Sequence, residues 1–176
     1  MYETKNYLDA SVVYANLISV AANKSPGKAN LYKKLGNCYL RLKKNTLAEN
    51  YYRKSLSIDS ISQVGADNYY NICLLKLRQN KKDSAYFYLE KSLQIFDATE
   101  ATPSAYNTYL SAGILYKNVQ QFERSLDYLL KAYQGFKEHQ NYQKLGRTLN
   151  VMGSIQNEIK NYYSAIKYLN EALEVT

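Results

Sequence analysis

Between residues 29 and 62 the apolar and small side chains fall at Tyr32, Leu35, Gly36 and Tyr39, and then at Ala48, Tyr52 and Ser55. The first set follows the i, i+3, i+4, i+7 rule and the second keeps the same helical period, so the stretch predicts two amphipathic helices. The order returns downstream as Tyr69, Ile72, Cys73 with Ala85, Leu89, Ser92, then as Tyr109, Ala112, Gly113, Tyr116 with Ser125, Leu129, Ala132. It returns once more as Leu149, Met152, Gly153 with Ala165, Leu169, Ala172. In all four copies the small residue of the first helix lies 12 positions before that of the second: Gly36 and Ala48, Cys73 and Ala85, Gly113 and Ser125, Gly153 and Ala165. A half copy, Ala10, Tyr14 and Leu17, precedes them, and the steps from copy to copy are 38, 37, 40 and 40 residues. The pattern predicts a lone helix near 3–22 and pairs near 29–42 and 45–58, 63–79 and 82–97, 103–118 and 121–138, and 142–159 and 161–175. Pro26-Gly27 and Thr102-Pro103 are read as turns between repeats. A single helix pair cannot cover its own apolar face, so the copies are expected to stack on one another.

The order of a large aromatic, Leu, Gly and Tyr, then Ala and an aromatic four residues on, resembles the tetratricopeptide-repeat signature, with Tyr in place of Trp and Phe. The resemblance covers essentially the whole chain. It implies an all-α, right-handed superhelix of antiparallel helix pairs in one array over residues 1–176. Within it, 1–28 is a half repeat supplying only a second helix, and 29–62, 66–99, 106–139 and 146–176 are repeats. Two positions depart from the family. The closing proline is replaced by Ser60 in the first copy and Asp97 in the second, and the glycine of the turn inside each pair by Lys43, Asn80, Gln120 and Lys160. A side-chain-bearing residue held at positive φ costs roughly 1 kcal/mol, less for Asn, so longer helices and altered turns are expected. Repeats of about 40 residues look like those of bacterial regulatory and sensor proteins.

The tyrosines number 20 and there is no Trp. Tyr14, Tyr32, Tyr39, Tyr52, Tyr69, Tyr109 and Tyr116 hold signature positions, and Tyr51, Tyr88, Tyr128 and Tyr168 share one further position, so packing with hydroxyls at a wet rim accounts for most of them. Cys73 holds a small-residue position facing its own partner helix and Cys38 should face the preceding repeat. Their side chains diverge, so two buried reduced thiols are expected rather than a disulfide. With two Cys and one His, no Cys/His metal site is expected and no cofactor is implied. His139 sits at a helix end, where a polar cap suffices. No phosphate loop, HExxH or serine elbow is present, and no catalytic residue is assigned; the chain is expected not to be an enzyme. Residues 11–23 are too short and too polar to span a bilayer, and no signal peptide is visible at the N-terminus. The thiols and the missing signal lean toward the cytoplasm, with the periplasmic region of a sensor left open.

The family's geometry points six first-helix positions per copy into a concave groove. Of these 24 residues six are Lys or Arg, two are Asp or Glu and seven are Asn, so the groove carries about half of the chain's net +8. The candidate binding residues are Lys33, Asn37, Arg41, Tyr70, Asn71, Arg78, Asn107, Ser111, Lys117, Arg147 and Asn150. Clustered cations draw in an anionic ligand, and Asn amides match the donors and acceptors of an extended peptide. Relatives that bind peptide C-termini use a Lys, Asn, Asn, Lys, Arg clamp. Lys33, Asn37 and Asn71 match its first three positions, while Asn107 and Ser111 stand where the last two should be. A polar solvated face, a peptide groove and a true carboxylate clamp therefore all remain open. The reading is a protein- or peptide-binding scaffold or sensor module of a larger regulator, its partner an acidic or C-terminal segment. Neither end carries a capping helix, which predicts an excerpt of a longer protein or end-to-end self-association. The alternative is non-specific association with nucleic acid through the basic surface, against which the interleaving of acids with Lys and Arg argues.

Overall fold

The computed structural model describes residues 2–22, 25–99 and 102–175, with backbone only for 2–4. Among the described residues there are nine helices and no strand: α1 (Tyr2–Val20), α2 (Pro26–Arg41), α3 (Asn45–Leu56), α4 (Gln63–Arg78), α5 (Lys82–Asp97), α6 (Pro103–Asn118), α7 (Phe122–Glu138), α8 (Tyr142–Glu158) and α9 (Tyr162–Glu174). They form two compact units, Met1–Thr99 and Glu100–Thr176. In the first, α2 packs on α3, α4 on α5, α3 on α4, and α1 on α2; in the second, α6 packs on α7, α8 on α9, and α7 on α8.

Local chemistry sets the helix ends. Ser25, Ser62 and Thr102 are N-caps in extended backbone whose hydroxyls accept from Lys28 N, Val64 N and Ala105 N. Pro26 and Pro103 stand in the first turn, where a missing N–H costs nothing. The reading of Pro26-Gly27 as a turn is thereby corrected: proline's fixed φ opens α2 three residues earlier than expected. Asn141 and Asn161 cap α8 and α9 through Lys144 N and Ser164 N.

Helix closures repeat one motif. Lys43, Asn80, Gln120 and Lys160 all have φ between 57° and 63°, as expected from their place in the turns. Gln140, at φ 53° between α7 and α8, was not anticipated. After each, the next N–H reaches back five residues to a helix carbonyl: Lys44 to Tyr39, Lys81 to Lys76, Gln121 to Tyr116, Asn141 to Phe136 and Asn161 to Gln156, at 2.8–3.0 Å. This is the Schellman closure, which favours glycine at its left-handed position and here has none.

Small residues sit where helices approach closely. A Cβ on Gly36 would stand 2.6 Å from the Tyr52 ring, and one on Gly135 2.3 Å from Tyr106. Buried serines tie the pairs further: Ser55 Oγ donates to Ala29 O (2.7 Å), Ser92 Oγ to Ala66 O (2.9 Å) and Ser125 Oγ to Gly113 O (2.6 Å). In the first unit Ala48, Tyr52, Ile72 and Leu75 form a buried cluster with Tyr39, Leu40, Leu56 and Tyr88 packed against it. Tyr51 stacks on both Tyr32 (6.2 Å) and Tyr39 (5.3 Å); in the second unit Tyr128 stacks on both Tyr109 (5.7 Å) and Tyr116 (5.8 Å). Ring packing thus accounts for part of the tyrosine excess, while Tyr142, Tyr162 and Tyr163 are exposed. Lys54 and Lys131 lie over the Tyr51 and Tyr128 faces, where the ring quadrupole attracts a cation.

Candidate functional site

In the first unit the candidate residues come from α2 and α4. Lys33 Nζ meets Asp67 Oδ2 at 2.7 Å. One turn on, Asn37 Oδ1 accepts two hydrogen bonds, from Tyr52 OH (2.8 Å) and from Asn71 Nδ2 (3.3 Å). Tyr52 is fully buried, and its hydroxyl reaches this face from beneath. Burial pushes its pKa well up, the nearby Cys38 thiol adds to the rise, and the charges of Arg78 and Arg41 oppose it. The phenol therefore stays protonated and remains a donor. Arg41 and Arg78 are exposed and have no ion-pair partner among the described residues. Tyr70 is half-buried and already engaged. Lys34 Nζ lies 5.8 Å from the Tyr14 ring centre.

The bonding pattern decides what this face offers. An Asn amide has one acceptor oxygen and two N–H donors. With its oxygen taken twice, Asn37 presents donors, and Arg41 and Arg78 add only donors. The face of α2 and α4 therefore offers more donors than acceptors, with the Asn71 oxygen as an acceptor beside them.

The second unit spends the same residue types internally. Asn107 Oδ1 accepts from Lys144 Nζ at 2.6 Å while its Nδ2 donates to Pro103 O at 2.8 Å. Lys117 Nζ pairs with Glu158 Oε1 at 2.8 Å, and Ser111 is half-buried and engaged. Arg147 and Asn150 are exposed on α8. Lys33 and Lys117 were expected to be available cations; both are neutralised, by the two acids counted among the groove positions. Lys144 and the roles of Asp67 and Tyr52 were missed. A signal existed, since Lys33 to Asp67 and Asn37 to Asn71 are both 34 residues apart, about one helical turn short of the 37-residue step from Gly36 to Cys73 that aligns α2 with α4.

Cys38 and Cys73 are free and buried, as expected. Burial raises both thiols, Cys73 to about 12, which keeps them protonated and unreactive. His139 ends α7 with Nδ1 3.0 Å from Gly135 O. Among the described residues no group of His, Cys, Asp and Glu could hold a metal ion, and no helix is long and apolar enough to cross a membrane.

These features define an all-α protein of stacked helix pairs whose first helices carry the candidate binding residues. Residues 29–61 and 146–176 match the tetratricopeptide-repeat family model. The same pair plan recurs in the helices between. No curated protein sequence matches it. Solved structures of similar fold include BtubC from P. vanneervenii, at TM-score 0.79 and 17% identity over 97% of this chain and 73% of that one. MamA is similar at TM-score 0.68 and 17% identity over 99% and 91%. Aspartyl phosphate phosphatase F from Bacillus subtilis is similar at TM-score 0.76 and 16% identity, over 99% of this chain but only 48% of that one. The matched segments and these likenesses show a fold of tetratricopeptide type.

Proposed function

We propose that the chain binds an acidic peptide segment, or a peptide C-terminus, on the face of α2 and α4, without chemistry of its own. One observation carries the reading: the oxygen of Asn37 is occupied by Tyr52 and Asn71, so with Arg41 and Arg78 the face is left richer in hydrogen-bond donors than in acceptors. Hydrogen bonds to charged acceptors are worth about 1.5–3 kcal/mol each, enough to hold a carboxylate on three or four such groups. Incomplete matching of the family clamp at Asn107 and Ser111 fits a ligand held chiefly by the first unit. A place in a larger regulator of bacterial type is consistent with the fold shared with the Bacillus subtilis phosphatase, and the two reduced thiols suit the cytoplasm.

The test is calorimetric titration with a blocked acidic peptide, the same peptide with a free C-terminus, and single-stranded DNA as competitor, on the wild type and on Asn37→Ala, Asn71→Ala and Arg78→Glu. Both Asn variants should weaken peptide binding several-fold with folding unchanged, and Arg78→Glu should weaken it further and flatten its salt dependence. Binding that survives all three variants rules this face out, and tight binding of DNA in its place rules for a nucleic-acid role.

A further inference from the structure

A further surface feature lies away from that face. The turn between α3 and α4 and the last turns of α5 enclose a cleft of about 400 Å³. Ile61, Tyr69, Ile95 and Ala98 supply its apolar surface, and Lys91 and Gln94 stand at its side. Among the described residues lining it there is no carboxylate, and Lys91 has no ion-pair partner among the described residues.

The wall bearing Ile61 is stiffened from two directions. Asp59 Oδ1 accepts from Ile61 N (3.4 Å) and Ser62 N (3.1 Å), and Asp59 Oδ2 accepts from Ser62 Oγ. From the other side Gly65 presses on the turn so closely that a Cβ would stand 2.6 Å from the Ser60 carbonyl carbon. On this braced turn Ile61 is 83% exposed. A mobile turn would fold such a side chain back onto the neighbouring apolar surface; this one holds it out beside the cleft. A preorganised apolar wall saves the ordering cost that ordinarily weakens binding.

We propose that this cleft docks a peptide segment bearing one large apolar side chain next to an acidic one. The apolar side chain enters between Ile61, Tyr69 and Ile95, and the carboxylate meets the Lys91 ammonium at the rim. The charge of the cleft selects the sign of the flanking residue. The exposed rim selects a chain that runs over Ile61 rather than a small molecule enclosed below it. The volume is within the range of pockets that receive compact ligands. The site uses none of Asn37, Asn71, Arg41 or Arg78, so it stands or falls separately from the reading above.

The experiment is an NMR titration of the ¹⁵N-labelled chain with three terminally blocked nine-residue probes: a central Leu flanked by Glu, the same flanked by Lys, and the Glu peptide with Ala for Leu. The Leu–Glu probe should saturably shift the amides of 60–62 and 91–99 and bind at least about five-fold tighter than either other probe, as expected for an anchor and its charge partner. Ile61→Ser should weaken it at least about five-fold. Lys91→Glu should reverse the preference between the Glu- and Lys-flanked probes at these amides, while Lys167→Glu, exposed on α9, leaves the response of these amides to all three unchanged. Both altered positions are exposed, and unchanged dispersion of the spectrum confirms folding. The proposal is overturned by the absence of saturable shifts at 60–62 and 91–99, whether or not Asn37 and Asn71 shift, or by a preference at these amides that Lys91→Glu does not reverse.

Discussion

The faces made by α2 with α4 and by α6 with α8 follow one helical plan and end with different chemistry. In each, a lysine meets a carboxylate at 2.7–2.8 Å: Lys33 with Asp67, and Lys117 with Glu158. In the second unit the neighbouring Asn is locked as well, its oxygen on Lys144 and its nitrogen on Pro103. In the first, the Asn is anchored through its oxygen, by a buried phenol and by Asn71, and keeps its donors beside two arginines that have no ion-pair partner among the described residues. A repeat fold thus decides where side chains stand. Which of them remain available is decided by whether the adjacent helix supplies a partner.

The strongest way to probe this contrast is to ask whether the two units differ in their cores as they do in their faces. Gly36→Leu in the first unit and Gly135→Leu in the second should each cost roughly 1–3 kcal/mol, because both drive a side chain into a ring packed against the backbone. Chemical denaturation followed by circular dichroism reads both losses. Near-equal values confine the difference to the faces, and an untouched midpoint for Gly36→Leu would mean that the repeat register is wrong.

Charge reversal separates the faces themselves. Arg41→Glu should weaken binding of an acidic peptide about ten-fold, equivalent to about 1.4 kcal/mol, whereas Arg147→Glu on α8 should change it less than two-fold. Equal effects, measured by calorimetry, would erase the distinction drawn between the units.

The helix closures offer a smaller, stabilising effect that should be shared by both. Lys43→Gly and Gln120→Gly each relieve a left-handed residue and should raise stability by up to about 1 kcal/mol, with less from Asn80→Gly because Asn tolerates that conformation. A loss of stability in urea titrations would show that the Lys43 and Gln120 side chains contribute contacts that outweigh the backbone cost.

The smallest effect is a pH dependence tied to the first unit. Burial pushes the Glu49 carboxyl up, but its bonds to Lys76 and Arg53 outweigh that and hold it below the ordinary glutamate range. A depressed carboxyl adds stability that is complete above the unfolded-state value and is lost as pH falls through the folded one. Glu49→Gln should therefore narrow the gap to wild type as pH is lowered through that acidic window, and a gap constant with pH would remove the assigned role of the Lys76 and Arg53 pairing.

Most of the architecture was legible because it depends on spacing. Ala48, Ala85, Ser125 and Ala165 recur at a fixed distance from their partners, and helical geometry converts that spacing into faces without further information. Four of the five left-handed closures were legible for the same reason. Gln140 was not, because it lies between two helix pairs, α7 and α8 belonging to different ones, and not in a turn inside a pair. Pro26 was misplaced because proline both breaks helices and begins them, and the deciding residue, Ser25, acts through a hydrogen bond to Lys28 N that residue types alone do not reveal. The site was legible as a set of positions but not as a set of free groups. Nothing in the letters Asn37 and Asn107 says that one amide keeps its donors and the other spends both ends; that follows from where Tyr52, Lys144 and the Pro103 carbonyl come to rest.

The stacked tyrosines also fix how the molecule interacts with light. With 20 Tyr and no Trp, all of its near-ultraviolet emission is phenolic, and the rings of Tyr51 with Tyr39 and of Tyr128 with Tyr116 lie within 5.3–5.8 Å. Coupled chromophores at that separation give a near-ultraviolet dichroism that vanishes when packing is lost, one reporter in each half of the chain. A single tryptophan introduced at Phe87 or Phe122 would collect excitation from the tyrosines of its own unit. The absence of native indole thus leaves the tryptophan emission band free of other indole signal, so the melting of each unit can be watched separately.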